Sequence, residues 1–218
     1  MKIEQFKKEI IRDDLEIRGY GRIFSFIDFA NVNKWFQCDN QDWNNNLLEE
    51  DEYLAIDLNK LKDFSNIISD KTRLYYGEDP KNEKSLKFTY IIRKIFGKRN
   101  IITKDVQKIK HYIETGDNLD FKIVADEDGR NYVEIRKCNF DVEISVDAIK
   151  MIDYYDTFCI FSGDADFVYL NNFLKKRGKK IIIVKGGYIT GKLRETASLI
   201  INAQRIKKYI AKISKTKT

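Results

Sequence analysis

Phe158-Cys159-Ile160-Phe161-Ser162-Gly163-Asp164-Ala165-Asp166-Phe167 is the stretch on which the reading of this chain turns. From Thr157 five residues are apolar or β-branched, an unbroken run that predicts a strand buried on both faces of a parallel sheet. Ser162-Gly163 turns the chain, and the spacing of apolar residues from Phe167 to Leu174 predicts a helix. Asp164 and Asp166 therefore stand where a strand hands over to a helix, the place where open α/β sheets bind their ligands. Two carboxylates held close repel unless one is protonated or a cation lies between them, and oxygen-only ligands suit Mg²⁺ or Mn²⁺. The same residues also fit as helix N-caps, and this segment alone does not separate the two readings.

Outward from that stretch the same alternation recurs. Ile3 to Ile17 has an amphipathic helical pattern, and Arg22 to Asp28 is a first buried strand ending in an acid. Trp35 to Glu52 is polar and irregular, predicting a long loop, after which Ile56 to Ile68 returns to helical period. Thr72 to Gly77 reads as the second strand, Ser85 to Phe96 as a helix and Asn100 to Thr103 as a short third strand. Leu119 to Val124 and Asn131 to Arg136 flank an Asp-Gly turn, which predicts a β-hairpin. Asp141 to Tyr155 is helical, and Lys180 to Val184 is a fifth strand. Helices from about Leu193 and Asn202 close the chain. The pattern predicts an α/β fold, a Rossmann-like doubly wound and mostly parallel five-stranded sheet of order 3-2-1-4-5 flanked by helices. The hairpin and the N-terminal helix are additions to it. The chain reads as one domain over 1–218, with a core at about 22–205 and the helix at 1–18 as an appendage.

That strand order sets Asp28 beside Asp164 and Asp166, because strands 1 and 4 meet at the switch point. A helix that leads into a strand starts on the carboxyl side of the sheet, so the first turns of Asp141–Tyr155 face the same crevice. Glu143 and Asp147, spaced i, i+4, share one face of it, and Asp147 is the expected fourth carboxylate.

Charge supports a polyanionic partner. The net charge of +6 conceals 14 Lys/Arg against the single acid Glu195 from Lys175 onward, while Asp39 to Leu58 holds seven acids and no base. An acidic centre flanked by basic surfaces suits a metal site that must hold a polyanion. No apolar run approaches the ~20 residues of a membrane span, so no membrane association is expected. Three scattered cysteines fit a reducing cytoplasm and neither a zinc site nor a disulfide framework. His111 is the only histidine and lies near no nucleophile motif. Asp28-Phe29-Ala30 lacks the Asp-x-Asp of haloacid-dehalogenase-type phosphatases, and no Gly-rich turn of a dinucleotide-binding domain follows strand 1.

Phe26-Ile27-Asp28-Phe29-Ala30-Asn31, Asp141-Val142-Glu143-Ile144-Ser145-Val146-Asp147-Ala148 and Phe161-Ser162-Gly163-Asp164-Ala165-Asp166-Phe167, in this order, resemble the motifs of the NYN domain, LabA-like branch, within the PIN-like nucleases. Tyr75-Tyr76-Gly77, Gly186, Leu193 and Ala197 extend the resemblance over roughly 22 to 205. It implies a PIN-like fold and a metal-dependent ribonuclease. The acids matching Asp28, Asp147, Asp164 and Asp166 would be catalytic and hold Mg²⁺ or Mn²⁺, with Asn31 and Ser162 as supporting polar positions. RNA, expected to be single-stranded, is the implied substrate; the alternative is a non-catalytic NYN-like module binding RNA or a protein. Lys104, Lys108 and Lys110 after strand 3, and Lys185, Lys192 and Arg194 after strand 5, are the expected RNA contacts on the crevice side. A homo-oligomer is left open. The sequence departs from the family at Phe29, at Asn139-Phe140 in place of Gly-Val, and at Ser198. Ser198 stands where an aspartate is common, a change expected to bear on a metal ligand or its surroundings.

Overall fold

The computed structural model describes residues 3–113, 123–126 and 128–216. In chain order its helices are α1 (Ile3–Asp14), α2 (Phe29–Val32), α3 (Leu58–Ile68), α4 (Glu83–Phe96), α5 (Asp141–Lys150), α6 (Val168–Lys176), α7 (Gly191–Thr196) and α8 (Ala203–Ile210). The central strands are β1 (Ile23–Asp28), β3 (Lys71–Glu78), β4 (Ile101–Asp105), β8 (Thr157–Phe161), β9 (Lys180–Lys185) and β10 (Leu199–Asn202). They form one sheet in the order β10-β9-β8-β1-β3-β4, with every neighbouring pair parallel. The expected order of five strands is present within it, and β10 adds a sixth at the edge, where a helix was expected to continue.

Burial on both faces explains the apolar runs. Along β8 all five residues are buried, and their side chains alternate between two cores. Cys159 and Phe161 point with Ile23 and Ile27 of β1 into a core built with α1, α3, α4 and α8. Phe158 and Ile160 point with Phe26 into the core under α5, α6 and α7. Helices thus cover both faces, as a doubly wound connection requires. The N-terminal segment shares the first core: Leu15 and Ile17 are fully buried there, and Arg12 of α1 donates to the Ile67 carbonyl at the end of α3.

Among the described residues five further strands lie outside the central sheet. β2 (Glu52–Ile56) pairs antiparallel with β11 (Ala211–Lys215), closing a long acidic loop against the last strand of the chain. β5 (Gln107–Tyr112), β7 (Asn131–Lys137) and β6 (Ile123–Ala125) form a separate antiparallel sheet in that order. The β6–β7 hairpin is the expected one where it is described; Leu119 to Lys122 of that expectation lie outside the described residues. β2, β5 and β11 were not foreseen.

Candidate active site

The carboxyl ends of β1 and β8 lie side by side, Ile27 level with Phe161, so Asp28 and the turn Ser162-Gly163-Asp164 open into one cleft. That cleft, about 630 Å³, is lined by Asp28, Asn31, Lys34, Trp35, Lys137, Asn139, Asp141, Asp164 and Gly186, among others. One carboxylate oxygen from each of Asp141, Asp164 and Asp166 lies within 4.8 Å of the others. Among the described residues it is the one group of three or more such side chains gathered this closely.

Local chemistry sets each of them. Ser162, almost fully buried, accepts a hydrogen bond from the Asp164 N–H at 3.2 Å, which fixes the turn. The Asp164 carboxylate accepts from the Asp166 N–H at 3.0 Å and so caps the short 3₁₀ turn Ala165–Phe167 ahead of α6. Capping occupies one oxygen and leaves the second available, so the capping and metal-binding readings are compatible. Asp141 opens α5, where its charge suits the positive end of the helix dipole, and its own N–H donates to the Asn139 side chain at 2.8 Å.

The electrostatics are those of crowded acids. Burial, opposed by the backbone N–H groups of Asn31 and Ala30, and reinforced by the charges of Asp141 and Asp164, pushes the Asp28 carboxyl up to about 6. Asp141 is raised by burial and by Asp164 and Asp166, against the pull of Asn139. Carboxyls raised by burial and by the charge of neighbouring acids, as at Asp28 and Asp141, mark a site short of positive charge.

Asp147 does not join this group. It accepts a hydrogen bond from the Tyr75 hydroxyl at 2.8 Å and pairs with Arg73, both on β3. Six residues at ~1.5 Å rise set it about 9 Å further along α5 than Asp141, away from the crevice. The helix faces the site as expected, but its first residue is the acid that reaches it. Burial and the Asp147 charge raise the Tyr75 hydroxyl, so Tyr75 stays a hydrogen-bond donor. Glu143, on the same helix, is occupied by Lys104 at 2.8 Å.

Ser198 has no bearing on the crevice. Its N–H donates to the Ile181 carbonyl and its hydroxyl accepts from the Ile181 N–H, at the amino end of the sheet. The chain crosses back through α7 before starting β10, which carries Ser198 to the far edge.

The expected cations are divided. Lys104 is held by Glu143, and Lys108 lies 3.6 Å from Asp79 and 3.5 Å from Glu134. Lys110 covers the Tyr132 ring on the separate sheet, and the Lys185 ammonium donates to the Gly187 carbonyl. Lys192 and Arg194 are exposed on α7 and line no part of the cleft. Lys34 and Lys137 do line it, both exposed and neither ion-paired among the described residues. Lys34 lies one turn past Asn31, a position the spacing could have revealed; Lys137 arrives from the hairpin, and nothing local in the sequence announces it.

Trp35 forms the back wall. Its indole N–H donates to the Asn31 side chain at 2.9 Å, and its ring stacks on Phe161 at 6.2 Å. A Cβ on Gly186 would come within 2.6 Å of that ring, so only glycine lets the β9 turn close on it. Gly77 is under the same constraint from Cys138, 2.7 Å from where its Cβ would be.

Comparison with known proteins agrees with this architecture. A protein of unknown function from Vibrio parahaemolyticus shares the fold with a TM-score of 0.51 and 18% identity, over 85% of this chain and 94% of that one. LabA, the "Low amplitude and bright protein" of Synechococcus elongatus, is 31% identical over 85 residues, 38% of this chain. The match spans 45% of LabA, less than half of that protein's length. The NYN domain profile matches residues 22–204, the whole of the central sheet and the helices from α2 to α7. The chain belongs to the NYN domain family, within the PIN-like nuclease superfamily.

Proposed function

We propose that this protein is a metal-dependent ribonuclease that hydrolyses phosphodiester bonds of single-stranded RNA in the β1–β8 crevice. The convergence of Asp141, Asp164 and Asp166 beside half-buried Asp28 carries the reading. The donor set is all oxygen, crowded enough to raise the Asp28 and Asp141 carboxyls, and suited in charge and chemistry to Mg²⁺ or Mn²⁺. Asp28, Asp141, Asp164 and Asp166 would hold the ion. When bound, such a cation neutralises charge developing on the phosphoryl oxygens and makes water a stronger nucleophile at neutral pH.

The protein's own groups do the rest. Asp166, exposed at the start of the 3₁₀ turn, orients the attacking water and accepts its proton. Lys34 and Lys137 hold the backbone phosphates on either side of the scissile bond. Asn31 and Ser162 fix the wall and the turn that aim the acids. Tyr75 and Arg73 anchor α5 through Asp147 and so set where Asp141 stands.

The test is incubation of purified protein with end-labelled single-stranded RNA in Mn²⁺, Mg²⁺ or EDTA. Cleavage that needs the cation and disappears in Asp164→Asn supports the reading. Binding without cleavage in any metal would leave the protein a non-catalytic RNA-binding module, and the absence of both binding and cleavage would remove RNA from the account.

A further inference from the structure

Beside the acid crevice lies a second hollow of about 720 Å³, whose lining includes the rings of Phe29, Tyr76 and Phe88, the cations Lys34, Lys84 and Lys137, and the acid Asp79, which lies 3.6 Å from Lys108. The two hollows share Ala30, Lys34, Lys137 and Cys138, so they form one continuous trough across the carboxyl edge of the sheet. Resting on the ribonuclease reading above, we infer that this hollow is a nucleotide subsite. It takes the base and phosphate of a residue next to the scissile bond of single-stranded RNA.

Several independent features favour that occupant. The three rings form a packed aromatic group, with Phe29–Phe88 centroids 5.1 Å apart and Tyr76–Phe88 4.7 Å apart. They are only partly covered at Tyr76 and Phe88, offering an apolar surface to a base. Polar groups stand at its edge: the Ser85 hydroxyl lies 3.1 Å from the Tyr76 hydroxyl, and Asn82 spends its side-chain oxygen on capping α4, leaving the amide N–H groups. Lys34, Lys84 and Lys137 are exposed and form no ion pair among the described residues, in contrast to Lys104 and Lys108 close by. Aromatic surface interleaved with uncompensated cations is what a single-stranded polynucleotide requires, since every base has a face to stack and every phosphate a charge to neutralise. The hollow falls within the size range of small-ligand sites, roughly 300–1,000 Å³. Its floor is kept open by Gly77, whose missing side chain admits Cys138 at the junction of the two hollows.

An abasic scan tests this. A fluorescent single-stranded 12-nucleotide RNA is prepared with one abasic residue at each position in turn, and binding is read by anisotropy in EDTA with the 218-residue chain. The scissile bond is mapped separately in Mn²⁺. One abasic position adjoining that bond should weaken wild-type binding by about 10-fold, and Phe88→Leu should abolish the difference between abasic and intact RNA. Lys84→Gln, an exposed change that leaves the core untouched, should weaken binding of every oligonucleotide and reduce the salt slope by roughly 0.7. If wild type cleaves RNA but no abasic position matters and Lys84→Gln is silent, the subsite is refuted while the nuclease reading stands. If a position matters and no metal supports cleavage, the hollow binds a base, and both the nuclease reading and the subsite's place beside a scissile bond fall. Binding that follows total charge alone, indifferent to base removal, also overturns the subsite.

Discussion

Asp28→Asn should make the metal-free protein more stable at neutral pH while abolishing cleavage. Burial, offset by the Asn31 and Ala30 N–H groups and aided by Asp141 and Asp164, raises the carboxyl from 3.8 to about 6 in the folded chain. In the unfolded chain it returns to its ordinary value, so between about pH 4 and pH 6 the unfolded state has released a proton that the folded state keeps. Raising the pH through that window therefore favours unfolding; the cost is absent below about pH 4 and complete above about pH 6. At ~1.4 kcal/mol per tenfold change in protonation, Asp28 costs the metal-free fold about 3 kcal/mol at neutrality. Asn keeps the shape and an acceptor for the two N–H groups but has no charge to bury. In a chain of this size that gain corresponds to roughly 6–12 °C in melting temperature. Thermal denaturation in EDTA should show the variant above wild type near pH 7 and level with it near pH 4. Mn²⁺ should then raise wild type by mass action and leave the variant unmoved. A variant less stable than wild type near pH 7 would show Asp28 to be a structural anchor, and a gap unchanged at about pH 4 would refute the electrostatic account.

Asp164→Asn and Asp141→Asn should each lose the Mn²⁺-induced rise in melting temperature, without loss of stability in the metal-free protein. Asp147→Ala should behave oppositely, losing about 2–4 kcal/mol by urea denaturation because Arg73 is left half-buried without its partner; a neutral effect on stability with loss of the Mn²⁺ response would make Asp147 a ligand after all. Replacing Lys34 and Lys137 by Ala should weaken RNA binding and flatten its salt dependence by roughly 0.7 per contact. Replacing Lys179 and Lys180 should not, because their ammonium groups bond the Tyr155 and Gly19 carbonyls at the amino end of the sheet. Gly186→Ala should cost about 1–3 kcal/mol by overpacking against Trp35, and a Trp35→Leu background should recover most of it, measured as a double-mutant cycle.

What the sequence determined by itself is the sheet and the two motifs at its switch point. Strands β1, β8 and β9 are buried on both faces, so their continuous apolar runs carry the signal without help from any partner. The turn Ser162-Gly163-Asp164-Ala165-Asp166 is local chemistry, a capped handover from strand to helix, and it reads correctly from five residues. Tertiary structure decided the rest, because those features depend on residues far apart in sequence. β2 and β11 are short, and each exists as a strand only because it meets the other across the length of the chain. Which acid of α5 enters the site depends on where that helix begins. Phe140 fixes that point, buried against Tyr75 at 5.7 Å, so Asp141 meets the crevice and Asp147 falls a helical stretch away beside Arg73. Ser198 goes to the opposite edge because a right-handed crossover must return before a parallel strand can start. Lys137 enters the cleft from a separate sheet, carried there by pairing between β5 and β7. Periodicity can say that a residue lies on a helix or strand, but only packing sets the register and the end of the element at which it meets the others.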